Sequence, residues 1–98
     1  MKLYFPYISD KPDKKFYVII NDKGKRLYFG ASGYEHYTNG HLNEERKNRY
    51  IKRHQKKEDW NNPNSQGYWS LRFLWLYPTY KKAYEEIKKD LKLKMINN

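Results

Sequence analysis

The densest apolar run of the chain is Tyr68–Tyr77, reading Tyr-Trp-Ser-Leu-Arg-Phe-Leu-Trp-Leu-Tyr. It is apolar nearly all round, so a 98-residue chain has to be built about it. A run this short fits either helix or strand by periodicity. Pro78-Thr79 stops it and begins a cap-and-helix signal, which favours a buried helix over 68–77 at the hydrophobic centre of the fold. Arg72, its lone charge, either emerges on a functional face or pairs with an acid.

The segments on either side supply the layers that cover such a run. Residues 1–13 suit an edge strand or extended arm, with Pro6 poorly placed for a central strand. Phe16-Tyr17-Val18-Ile19-Ile20 reads as a strand, Asp22-Lys23-Gly24 as a turn, and Lys25 to Gly30 as the returning strand. This gives a β-hairpin over 15–30. From Gly30 to His41 the irregular Gly spacing means a loop, one that either wraps the sheet edge or contacts a ligand. At the far end Thr79 can cap a helix over 80–93, with Tyr80, Ala83, Tyr84, Ile87 and Leu91 as its inward stripe. The fold class is therefore α+β: one domain, 1–98, with a small N-terminal hairpin or sheet packed by two to three helices.

Between these parts lies Arg46–Lys57, Arg-Lys-Asn-Arg-Tyr-Ile-Lys-Arg-His-Gln-Lys-Lys, which has no acidic residue. Asn43 can act as N-cap, with Glu44 and Glu45 in a first turn where negative charge suits the helix dipole. The interior lacks Gly and Pro, so the expectation is a helix over 44–57. At helical spacing Arg46, Arg49, Lys52, Arg53, Lys56 and Lys57 fall within an arc of about 140°, with Tyr50, Ile51 and His54 on the other side. A charge run is usually a solvated face. Here, however, like charges three and four apart oppose helix formation, and no Glu is interleaved as in the last helix. That cost points to a polyanion lying on the arc.

Composition bears on the partner. The net charge of +10 indicates an acidic one, of which nucleic acid is the commonest, and the 11 Tyr and 3 Trp argue for a folded rather than disordered chain. So many aromatics can leave some exposed, which makes a homodimer a candidate. The absence of Cys excludes disulfides and Cys-based zinc sites. No apolar run reaches membrane-spanning length, and Met1–Pro6 is too short for a signal peptide, so a soluble intracellular protein without a membrane partner is expected. His36, His41 and His54 lack the spacing of a metal site, and no nucleophile elbow is present, so neither cofactor nor metal is expected.

Two family resemblances stand on particular residues. Lys15-Phe16-Tyr17 and Tyr28-Phe29-Gly30, joined by a hairpin, are similar to the paired motifs of GIY-YIG nucleases. That family implies an Arg soon after the second motif and a later metal-binding Glu. Here no Arg stands between Gly30 and Arg46, and Glu58 would be the metal ligand. The second covers about residues 14–79. Phe29-Gly30, Gly33-Tyr34 and Tyr37-Thr38 are followed by Arg49-Tyr50-Ile51, Arg53-His54, Glu58, Trp60 and Pro63. Gly67, Ser70, Leu74-Trp75 and Pro78-Thr79 complete the pattern. This resembles a family of small basic proteins of unknown function encoded by large nucleocytoplasmic DNA viruses. The family usually has an acid where His36 stands and Leu where Phe73 stands. The resemblance implies a viral origin and association with viral DNA or the virion, in the host cytoplasm, nucleus or viral factory; it supplies no catalytic residues.

The resulting expectation is a non-enzymatic binding protein for nucleic acid, DNA rather than RNA, duplex and without sequence preference. Arg46, Arg49, Lys52, Arg53, Lys56 and Lys57 would meet phosphates, and Lys25 and Arg26 would extend the track if they lie on the same side. Tyr residues in the 34–37 loop could stack on unpaired bases. The alternatives are a GIY-YIG-like nuclease or its remnant, and an interaction module docking on an acidic host or virion protein.

Overall fold

A computed structural model describes residues 2–56 and 59–96. Its elements are strands β1 (Tyr7–Ile8), β2 (Lys14–Ile19) and β3 (Arg26–Ala31), then helices α1 (Glu44–His54), α2 (Gln66–Leu74) and α3 (Tyr80–Ile96). The strands form one antiparallel sheet in the order β1-β2-β3, and the class is α+β. The β2–β3 hairpin closes through Asn21, whose Oδ1 accepts from the N–H groups of Lys23 and Lys25, with Gly24 at φ +80°. Before Pro6 the chain touches β2 again, in a parallel bridge from Leu3 to Ile19. The N-terminal segment is thus both arm and edge strand, divided at the proline that cannot donate to a ladder.

The cross-strand register aligns Phe16 with Phe29 and Val18 with Leu27. These side chains pack with Tyr68, Trp69, Phe73 and Leu74 of α2 and with Ala83 and Ile87 of α3. Trp69 and Tyr68 are wholly buried, and their polar tips are satisfied. Trp69 Nε1 donates to Pro63 O at 2.8 Å and Tyr68 OH to Asp90 Oδ2 at 2.7 Å. Burial and the neighbouring Asp90 carboxylate push the Tyr68 phenol up from its usual range.

The helix bounds differ from expectation for local reasons. α2 starts at Gln66 rather than 68, because Ser65 is the cap and its side chain accepts from Tyr68 N. It ends at Leu74 rather than 77. Trp75 leaves the helix at φ −129°, ψ −18°, and its ring lies flat on Tyr50 of α1 at 4.5 Å. The Tyr77 carbonyl beyond it accepts from the buried Thr38 hydroxyl at 2.6 Å. α3 is capped by Thr79, whose hydroxyl accepts from Lys82 N, and runs to Ile96 rather than 93. α1 is capped by Asn43 as its sequence suggests and ends at His54, with one last helical bond from Gln55 N to Ile51 O.

Candidate nucleic-acid interface

α1 is two-faced. Tyr50 is buried and Lys47, Ile51 and His54 are half-buried, whereas Arg46, Arg49, Lys52, Arg53 and Lys56 are exposed. The inward cation is already engaged: Lys47 Nζ donates to Leu76 O at 3.2 Å and lies over the Tyr37 ring. Among the described residues no carboxylate lies within 4.0 Å of the charged nitrogens of Arg49, Lys52, Arg53 or Lys56. α3 is built otherwise: Lys82 and Lys89 share Glu86, and Lys94 pairs with Asp90. On α1 the pairs Arg46–Arg49, Arg49–Lys52 and Arg49–Arg53 stand three or four apart, and each costs about 0.2–0.5 kcal/mol.

The cationic face forms one wall of a cleft of about 680 Å³. Arg46, Arg49, Lys52 and Arg53 line that wall, and Ala31 at the end of β3, with Tyr34, Glu35 and His36 of the loop after it, line the other. Between them stand Tyr50, His54 and Trp75, stacked as three rings with centroids 4.3 and 4.5 Å apart. A smaller recess of about 230 Å³ shares Ala31, His36, Tyr50, His54 and Trp75, and continues toward Gln66, Gly67 and Ser70 of α2. Glu35 is the cleft's one carboxylate against four cations, and it reaches across to Arg46 at 3.8 Å.

The loop wall is held from below. Lys15 Nζ donates to Tyr34 O at 2.6 Å and lies 2.8 Å from His36 Nδ1. An ammonium has only protons to give, so Nδ1 accepts and the His36 proton sits on Nε2. Burial, then the Lys15 charge and His41, lower the His36 pKa to about 4, so the ring stays neutral. Gly30 fits beside this latch at φ +80°, where an added Cβ would stand 2.9 Å from Leu74 Cδ1. The wide turn Tyr37–His41 then carries the chain to α1, with Asn39 N donating to Pro78 O and Asn43 N to His41 Nδ1.

The predicted site residues separate into groups. Arg46, Arg49, Lys52 and Arg53 gather at the cleft, and Lys56 is exposed just past α1. Lys57 lies outside the described residues, as does Glu58, the metal ligand of the nuclease alternative. Lys25 and Arg26 do not line the cleft. Arg26 begins β3 and Ala31 ends it, five residues or roughly 17 Å away. The Arg26 guanidinium is engaged by Asp10 at 3.2 Å and by the Tyr17 ring at 4.3 Å. Tyr17 and Tyr28, the motif tyrosines of the nuclease alternative, meet with their rings tilted at 44° and do not line the cleft. Arg72 also lies elsewhere: its Nε donates to Trp60 O, and it covers the Tyr68 ring near Asp90.

Sequence reasoning did not find Lys15, Glu35 or Trp75 as parts of this site. Their roles depend on contacts across 11 residues or more, and no local pattern marks them. Among the described residues no three of His, Cys, Asp or Glu are grouped as a metal ion would need, and no helix is long and apolar enough to cross a membrane. No curated protein and no solved structure matches the chain. Residues 7–54, from β1 to the end of α1 and so including both walls of the cleft, match the model of a family of unknown function, DUF5754.

Proposed function

We propose that this protein binds nucleic acid through the exposed face of α1, without catalysis and without reading sequence. The observation that carries the proposal is the row Arg49, Lys52, Arg53 and Lys56, exposed on one face with no ion-pair partner among the described residues. Such a row costs stability in the free protein, and a phosphate backbone removes the cost. The outer face of α1 by itself favours duplex DNA. Few Asn or Gln side chains interleave with the cations, so phosphate contacts dominate and base readout is absent. The resemblance of its motifs to those of small basic proteins of large DNA viruses supports an intracellular role on a viral genome, in the virion or the factory.

The test is a titration of labelled duplex DNA at rising salt. Engagement of about five phosphates gives a log–log slope near −4 to −5. Arg49→Glu with Arg53→Glu should abolish binding and leave the circular dichroism spectrum intact. Affinity that is flat with salt, or unchanged in the double variant, would overturn the proposal. Binding of acidic proteins with none of DNA would favour the docking alternative. Metal-dependent nicking of supercoiled plasmid would favour the nuclease.

A further inference from the structure

Tyr34 is 71% exposed, an unusual setting for a large ring on the rim of a cationic cleft. Among the described residues no ring or cation stacks on it, although most other tyrosines of the chain have such a neighbour. Its backbone, by contrast, is pinned by Lys15 at 2.6 Å. The ring is therefore presented to solvent from an anchored loop, across from Arg49 and Arg53. An anchored aromatic opposite a row of guanidinium groups is the usual arrangement for stacking a base while its phosphates are neutralised.

The cleft's size narrows the ligand. About 680 Å³ lies within the range of pockets that hold one drug-sized molecule. It has room for a nucleotide or two, but not for a double helix. The exposed face of α1 is open to a duplex, whereas a single strand is thin enough to enter between the two walls as well. We infer that the cleft is a site for an unpaired stretch of nucleic acid, with a base stacked on Tyr34 and the adjoining phosphates on Arg49 and Arg53. This rests on the nucleic-acid reading above and adds the strandedness of the preferred ligand.

The chemistry of each wall matches a part of the nucleotide. Arg49, Lys52 and Arg53 have no carboxylate within ion-pair distance among the described residues, so they serve the backbone. Glu35 stands beside Tyr34 and pairs with the exposed Arg46 at 3.8 Å, a contact that an incoming phosphate displaces at little cost. Stacking needs only the flat face of a base, so this site tolerates any sequence, consistent with the lack of base-reading side chains.

The test uses the full chain with a short labelled single strand and the duplex of the same sequence, at one salt concentration. Tighter binding of the single strand is expected. Tyr34→Ala should weaken it roughly 5- to 150-fold, the range for losing one stacked base, and leave duplex affinity unchanged, while Tyr34→Phe retains single-strand affinity. If Tyr34→Ala leaves single-strand binding unchanged, or weakens both ligands alike, the stacking site is wrong and the wider reading stands. If Arg49→Glu with Arg53→Glu also leaves both affinities unchanged, the nucleic-acid reading falls with it.

Discussion

His36 couples the cleft wall to the fold through one ring. It is 8% exposed, meets Lys15 at Nδ1 and stands edge-on to Trp75 at 5.8 Å. Its pKa is depressed from 6.5 to about 4, so the unfolded chain takes up its proton first. The stabilisation is complete above pH 6.5 and is lost as pH falls toward 4, an effect of about 1–3 kcal/mol once partial solvent screening is allowed for. Lys15 and His41 face the ring and oppose its protonation. The lowered carboxylates Asp10, Glu86 and Asp90 start from values of 3.8 or 4.5, so their losses begin below most of this window. Urea midpoints compared at neutral pH and near pH 4.5 should show His36→Gln less acid-sensitive than the wild type. Equal sensitivity would assign the loss to other groups. None of this was legible in the sequence: His36 lies amid glycine-punctuated residues, and its partners come from β2 and the end of α2.

Among the elements, α1 and α3 form an internal comparison. Both are rich in basic residues, yet in α3 Glu86 and Asp90 pair with neighbouring lysines, whereas α1 keeps Glu44 and Glu45 in its first turn, where Glu44 pairs with Lys47. If the cationic face is maintained against its own repulsion, Arg49→Glu should stabilise the free protein. The new carboxylate would face Arg46, Lys52 and Arg53, and the gain would be about 0.5–1.5 kcal/mol at low ionic strength. Raising salt shortens the screening length from roughly 30 Å at about 0.01 M to 3 Å at 1 M, so the gain should vanish there. Thermal or urea melts of both proteins at the two salts read this directly. A lower midpoint for Arg49→Glu at low salt would mean that Arg49 contributes packing. The two-faced character of α1 was readable from spacing alone, because a helix places residues three and four apart together whatever surrounds it. The end of α2 was not readable, since Trp75 leaves the helix to meet a ring 25 residues earlier.

For the molecule as a whole, the family match and the folding unit do not coincide. Residues 7–54 contain both cleft walls, but Tyr68, Trp69, Phe73, Leu74, Ala83 and Ile87 supply six of the eight residues in the buried cluster, and Val18 and Phe29 the rest. A fragment 7–54 has a sheet face and one helix with little to cover them, and isolated small sheets and short helices are marginal in water. It should give an unfolded amide spectrum by NMR and no cooperative melt; a cooperative transition would mean that the N-terminal half has a core of its own. Local chemistry was enough to set the α+β class, the hairpin, the helix starts at Asn43 and Thr79, and the cationic arc, because caps, turns and periodicity act over a few residues. The cleft arose at a longer range. Lys15, Glu35 and Trp75 come together from β2, a loop and the end of α2, and the same folding sends Arg26 to the far end of the sheet. Such neighbours are set by how layers pack, and packing joins residues whose separation along the chain carries no signal.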